Sequence, residues 1–180
     1  VMQYQIITTG ARWFAKNIQA DLFEVMVLSE KTELDENNAS LTIRVDKIDY
    51  YIQRVREEYY KDIDTFSTDY TRQDAAILNI QRACEAAIDM GQYLIRRDKL
   101  GVPQSSRDVF SLLATAGKID QHIADTLKRM VGFRNIAVHD YQTLQLAITV
   151  DIIQHHLDDI QLFTHRLLSE HNLQKAKDAI

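Results

Sequence analysis

Residues 71–99, TRQDAAILNIQRACEAAIDMGQYLIRRDK, carry Ile77, Ile80, Cys84, Ala87, Ile88, Gly91, Leu94 and Ile95 in steps of three and four. That spacing lays one apolar stripe along an α-helix, whereas a strand would scatter the same residues over both faces. The stripe holds for about five turns, long enough to fix the period of the whole chain. Downstream, Leu100, Gly101, Val102 and Pro103 stop the helix, because Gly suits a C-terminal cap and Pro cannot continue. Ser105 or Ser106 then caps a short helix with Asp108 in its first turn and Val109, Phe110, Leu112 and Leu113 as its apolar side, ending near Gly117. A helix over 120–139 runs through Ile123, Leu127, Met130, Val131 and Ile136, and the last, over 144–171, carries Ile148, Ile152, Leu157, Ile160, Phe163 and Leu167. Upstream, Ile43, Ile48, Tyr51, Ile52 and Val55 predict a helix over 41–60, followed by a loop around 62–70. Four longer helices and one shorter, joined by brief loops, predict an all-α antiparallel bundle.

Composition agrees. Five Gly and one Pro in 180 residues are about 3% of the chain, against about 12% in average proteins. A turn-rich β or α/β fold needs more of both. One cysteine excludes an intramolecular disulfide and any multi-thiolate metal centre. No apolar run approaches the roughly 20 residues of a membrane span, so the expectation is a cytoplasmic protein with no membrane partner. The net charge of −5 argues against a surface coated for duplex binding, but a local basic cluster can still meet RNA.

The first forty residues read differently. A β-branched run stops at Gly10, and Phe14, Ile18, Leu22, Val25 and Met26 form a second helical stripe before the polar segment KTELDENNAS at 31–40. The expected organisation is therefore an N-terminal appendage at 1–40, a helical domain at 41–171 and a tail at 172–180.

Most polar clusters suit solvated helix faces. His155 and His156 are adjacent, about 100° apart on a helix, and do not jointly grip one ion. Asp158 with Asp159, and Glu57 with Glu58, have nothing near them in sequence to complete an acid/base site. Cys84 lies on the apolar stripe and reads as an inert buried thiol. Arg82 and Glu85, three apart, suit an intrahelical pair; the alternative for them and for Arg107 is to line a cleft or bind a partner, and the structural reading ranks first for all three.

The segment VGFRNIAVHDY at 131–141 stands apart. It places Arg134, Asn135, His139, Asp140 and Tyr141 within eight positions, after Lys128 and Arg129. A fixed guanidinium, a group titrating near neutrality and a local positive field are what phosphate chemistry requires. Arg134 and His139 are five apart, about 140° around an ideal helix, so they do not meet on one straight face. Either the helix ends between them, or a second copy of the motif completes the site across a two-fold interface. The residues alone equally allow a capped helix end, with His139 against the helix dipole and Arg134 in a surface pair.

Arg134, four residues, His139, one residue, Tyr141 resembles the R-x4-H-x-Y motif of HEPN-domain toxins of the HepT type. LNIQRACEAAIDM at 78–90, LGVPQSSRDVFSLL at 100–113 and LKRMVGFRNIAVHDY at 127–141 resemble that family in the same order, and the likeness spans about residues 41–170. It implies a HEPN-type bundle that dimerises so that two R-x4-H motifs share one cleft. It also implies metal-independent RNA cleavage, with His139 assisting proton transfer from the ribose 2′-hydroxyl, Arg134 stabilising charge on phosphorus and Asn135 orienting the phosphate or His139. No cofactor is implied for cleavage.

Toxins that look like this are paired in type VII-like toxin–antitoxin systems with an MntA-type minimal nucleotidyltransferase. That partner uses ATP to attach AMP to the motif tyrosine, here Tyr141, and a larger hetero-oligomer of toxin and antitoxin is implied as well. Added nucleotides bring negative charge and bulk to a phosphate-binding cleft and exclude substrate. The competing expectation is a non-catalytic helical companion that binds nucleotide or presents substrate to a nucleotidyltransferase. The acidic net charge favours that alternative, and the pairing of Arg134 with His139 favours the nuclease.

Overall fold

The computed structural model describes residues 41–139 and 145–178, and all the regular structure among them is helical. Helix α1 covers residues 41–60 and is followed by α2 (Ile63–Phe66), α3 (Tyr70–Arg97), α4 (Ser106–Thr115) and α5 (Gln121–His139). Helix α6 (Leu146–Asp151), a π-helical turn (Ile152–His156) and α7 (Leu157–Asp178) run on as one continuous helix. The appendage expected at 1–40 lies outside the described residues. The final helix continues to Asp178, past the point near His171 where its apolar stripe fades.

The helix ends follow from their caps. Asp69 accepts from the Arg72 N–H at 3.1 Å to open α3, and Ser105 accepts from the Asp108 N–H at 3.2 Å to open α4. Asp108 reaches back to the Gln104 N–H at 2.9 Å, and Asp120 accepts from the Ile123 N–H at 2.9 Å ahead of α5. The stop after α3 differs in detail from expectation. The left-handed residue is Lys99, with φ 53°, and Gly101 sits two residues later at φ 122°. The Leu100 N–H closes back on the Ile95 carbonyl at 3.0 Å, so the turn is already complete before the glycine. The loop expected at 62–70 contains the single turn α2, which buries Phe66 edge-on against Tyr59, ring centres 5.0 Å apart.

Side-chain contacts fix the packing directions. Arg44 near the start of α1 lies over Tyr93 near the end of α3, 5.2 Å from the ring centre. At the other end Arg72, at the start of α3, donates to the carbonyls of Glu58, Tyr59 and Asp62, satisfying the open end of α1. Helices α1 and α3 are therefore antiparallel. Helices α1 and α7 are antiparallel too: Asp49 meets His165 at 2.9 Å, Arg56 pairs with Asp158, and Tyr59 accepts from Gln154 at 2.7 Å. The core between them is continuous, with Ile48, Ile52, Ile80, Met90, Leu94, Phe110, Leu113 and Phe163 all fully buried. No helix among the described residues is long and apolar enough to cross a membrane.

Gly91 has a packing role that its place on the stripe only hinted at. A Cβ there would stand 2.5 Å from Val109 Cγ1 and 3.3 Å from Leu113 Cδ1, so the glycine lets α4 lie against α3. Gly91→Ala improves helix propensity but overpacks this crossing, and the overpacking should win. The expected loss is about 1–3 kcal/mol, read as a lower urea midpoint at unchanged m.

Candidate active site

Arg134 extends the stripe of Leu127, Met130 and Val131 on α5, the side that packs towards α3. Its guanidinium is held there rather than waving in solvent. Arg134 Nη2 pairs with Glu85 Oε2 on α3 at 2.6 Å, and Nη1 donates to Asn135 Oδ1 at 3.1 Å. Its Nε is buried and has no acceptor among the described residues. Asn135 is exposed and in contact with Arg134, so in this arrangement it orients the arginine. His139 is the last residue of α5, which places its backbone at the open end of the helix; its side chain lies outside the described residues. Asp140 and Tyr141 lie outside them as well.

The helix is unbroken from Arg134 to His139, so the about 140° between their directions stands. Of the two solutions read from the spacing, an intervening helix end is removed. Arg134 and Asn135 are brought together with Glu85, and position 139 lies on another side of α5.

Glu85 is the member that sequence reading misassigned. The expected Arg82–Glu85 pair is replaced by two others: Glu85 goes across to Arg134, and Arg82 lies over the Tyr51 ring, 5.9 Å from its centre. Residues three apart on a helix are neighbours, but each side chain found a stronger partner on a different helix. The register of α3 against α5 decides this, and no local pattern carries it. Cys84, one residue before Glu85, is buried as expected; burial pushes its thiol up to about 12, against the pull of the Arg134 charge, so it stays protonated and unreactive.

The paired histidines also behave in a way their adjacency did not suggest. In a regular helix Asp151 and His156, five apart, would diverge by about 140°. The π turn widens the helix at Ile152–His156, and both imidazoles reach the same carboxylate: His155 Nδ1 at 3.1 Å and His156 Nε2 at 3.5 Å from Asp151. His156 Nδ1 is also 3.4 Å from Asp159. Among the described residues no three His, Cys, Asp or Glu side chains converge to hold a metal ion.

The family described as HepT-like ribonuclease matches residues 48–167, which contain the whole motif and all of its structural supports. The chain belongs to the HepT-like ribonuclease family. It is 50% identical over 119 residues to the mRNA nuclease HepT of Shewanella oneidensis, covering 66% of this chain and 89% of that one. A crystal structure of a toxin–antitoxin with AMP-PNP matches at 46% identity and a TM-score of 0.69, over 72% of this chain and 97% of that one. A structure of the tri-AMPylated Shewanella oneidensis HEPN toxin in complex with MNT antitoxin matches at the same identity and TM-score, over 72% and 96%. A cytosolic protein of unknown function from Bacillus subtilis shares the fold at 15% identity, TM-score 0.56. HepT-like membership agrees with the resemblance carried by the R-x4-H-x-Y segment, and the family match begins beyond residue 40.

Proposed function

We propose that this chain is the toxin of a type VII-like toxin–antitoxin pair, a cytoplasmic, metal-independent endoribonuclease. The observation that carries the reading is the HepT-like family match across the segment in which Arg134 is anchored by Glu85 and Asn135. A guanidinium fixed by an ion pair on one edge keeps its other N–H groups aimed at an incoming phosphodiester. His139 takes the proton of the ribose 2′-hydroxyl as that oxygen attacks the adjacent phosphorus. Arg134 stabilises the doubly charged equatorial oxygens as the bond to the 5′-oxygen breaks. The leaving oxygen takes a proton, and the products are a 2′,3′-cyclic phosphate and a 5′-hydroxyl. Asn135 keeps the arginine in place between turnovers.

The divergence of Arg134 and His139 on an unbroken helix supports a homodimer in which two copies face one cleft, each copy supplying what the other's helix points away. Neutralisation follows from Tyr141, two residues past His139. An MntA-type nucleotidyltransferase transfers AMP from ATP to its phenol oxygen, releasing pyrophosphate, and the added phosphates compete with RNA for the guanidiniums. Intact mass spectrometry with the cognate nucleotidyltransferase, ATP and Mg²⁺ tests this directly. The wild-type chain should gain whole adenylyl increments mapping to Tyr141. Tyr141→Phe should gain none, cleave RNA at close to the wild-type rate and remain toxic in the presence of the partner. Full adenylylation of that variant would remove Tyr141 from the account.

A further inference from the structure

A cleft of about 350 Å³ opens beside α5, between α4 and the π turn, and neither Arg134 nor Asn135 lines it. Its floor is apolar: Met130 and Phe133 are buried beneath it, while Ile136 and Ile148 at its edge are 40% and 45% exposed. Two guanidiniums flank that floor, Arg107 from α4 and Arg129 from α5. Neither has a carboxylate within ion-pair distance among the described residues; Arg129 donates only to Thr126 Oγ1 at 2.9 Å. Asp151 and His156, already in contact with each other, also line the cleft.

Three features mark this as a built site. The π turn, a rare wide turn that concentrates at functional positions, is what turns His156 towards Asp151 and the cleft. Gly132 is the second: a Cβ there would stand 2.9 Å from Arg107 Nη2, so the missing side chain lets the guanidinium lie against α5. The third is register. Arg129, Gly132, Phe133 and Ile136 follow one stripe of α5, and the next position on it is 139.

We propose that this cleft binds a nucleotide of the RNA strand next to the scissile phosphate, a reading that rests on the ribonuclease function above. Arg107 and Arg129 hold the phosphodiester, which explains two cations with no carboxylate partner among the described residues at the edge of an apolar pocket, in a chain of net charge −5. The base lies on Ile136, Ile148 and Ile152, and the Asp151–His156 pair meets its polar edge. Pockets of roughly 300 Å³ and above suit ligands of that size. In this arrangement the phosphate lies with Arg107 and Arg129, while the Asp151 carboxylate is occupied by contacts with His155 and His156.

The test is fluorescence anisotropy with an end-labelled 2′-O-methyl oligoribonucleotide, which cannot be cleaved, at several salt concentrations. Arg107→Ala should weaken binding about tenfold, and the slope of log K against log salt should flatten by about 0.7, one single-strand phosphate contact. Gly132→Ala keeps every charge and favours the helix, yet displaces the guanidinium; it should weaken binding severalfold with no loss of thermal stability. Unchanged affinity and slope in both variants overturn the proposal. So does loss of affinity for AMP alone with oligonucleotide binding intact, which would make this a free-nucleotide pocket. Loss of the dimer by light scattering at unchanged RNA affinity would make it a protein interface and overturn it too. A wild-type chain that cleaves RNA but does not bind the oligonucleotide overturns the cleft alone. One that neither binds nor cleaves overturns the ribonuclease reading and the cleft with it.

Discussion

His139→Ala is expected to abolish RNA cleavage, by a factor of about 10²–10⁴ in kcat, and to remove growth inhibition with it. His139 is the last residue of α5, a position where alanine is compatible with the helix. The variant is expected to stay within about 0.5 kcal/mol of the wild-type stability, which thermal unfolding checks. Without the imidazole the 2′-hydroxyl has no positioned base, while Arg134 still binds phosphate. Loss should fall on kcat and leave KM close to wild type. Cells inhibited as strongly by the variant as by the wild-type chain would contradict the assignment of His139.

Arg134→Ala should cost about 10²–10³ in kcat, the usual effect of deleting one charge-stabilising donor. Arg134→Lys should recover little of it. A lysine is a single point donor and does not span Glu85, Asn135 and a phosphate at once. Glu85, nearly half-exposed, re-solvates when its partner is gone, so the folded state survives the change. The same pair of variants probes the shared cleft. Arg134→Ala and His139→Ala chains, each inactive alone, should regain measurable cleavage when unfolded together and refolded into mixed dimers. Mixtures as inactive as either variant would remove the shared cleft.

The fold was legible because its signals are local. Apolar steps of three and four marked each of the longer helices, and Ser105, Asp108 and Gly117 marked the ends of α4 within a residue or two. The motif segment was legible for the same reason, since Arg134 and His139 carry their spacing in the chain itself. What escaped was non-local. Glu85 left Arg82 for Arg134 because α3 and α5 pack at a register that neither helix encodes alone. Gly132 reads as an ordinary weak point in a helix until Arg107 is seen lying across it from α4. The π turn escaped for a different reason: one additional residue in a helix leaves the apolar stripe of Ile152, Ile153 and Leu157 intact, and only the hydrogen-bond ladder reveals it. The cleft combines Gly132 beneath Arg107 with the π turn, which is why no sequence pattern announced it.

The most direct measurement is the end-group chemistry of RNA cut by the purified chain in excess EDTA, with His139→Ala alongside. The account predicts cleavage that is unaffected by chelation, fragments ending in 2′,3′-cyclic phosphate with 5′-hydroxyl partners, and none of these from the variant. Cleavage that stops in EDTA and returns with a divalent ion, or fragments bearing 5′-phosphate and 3′-hydroxyl ends, would contradict it.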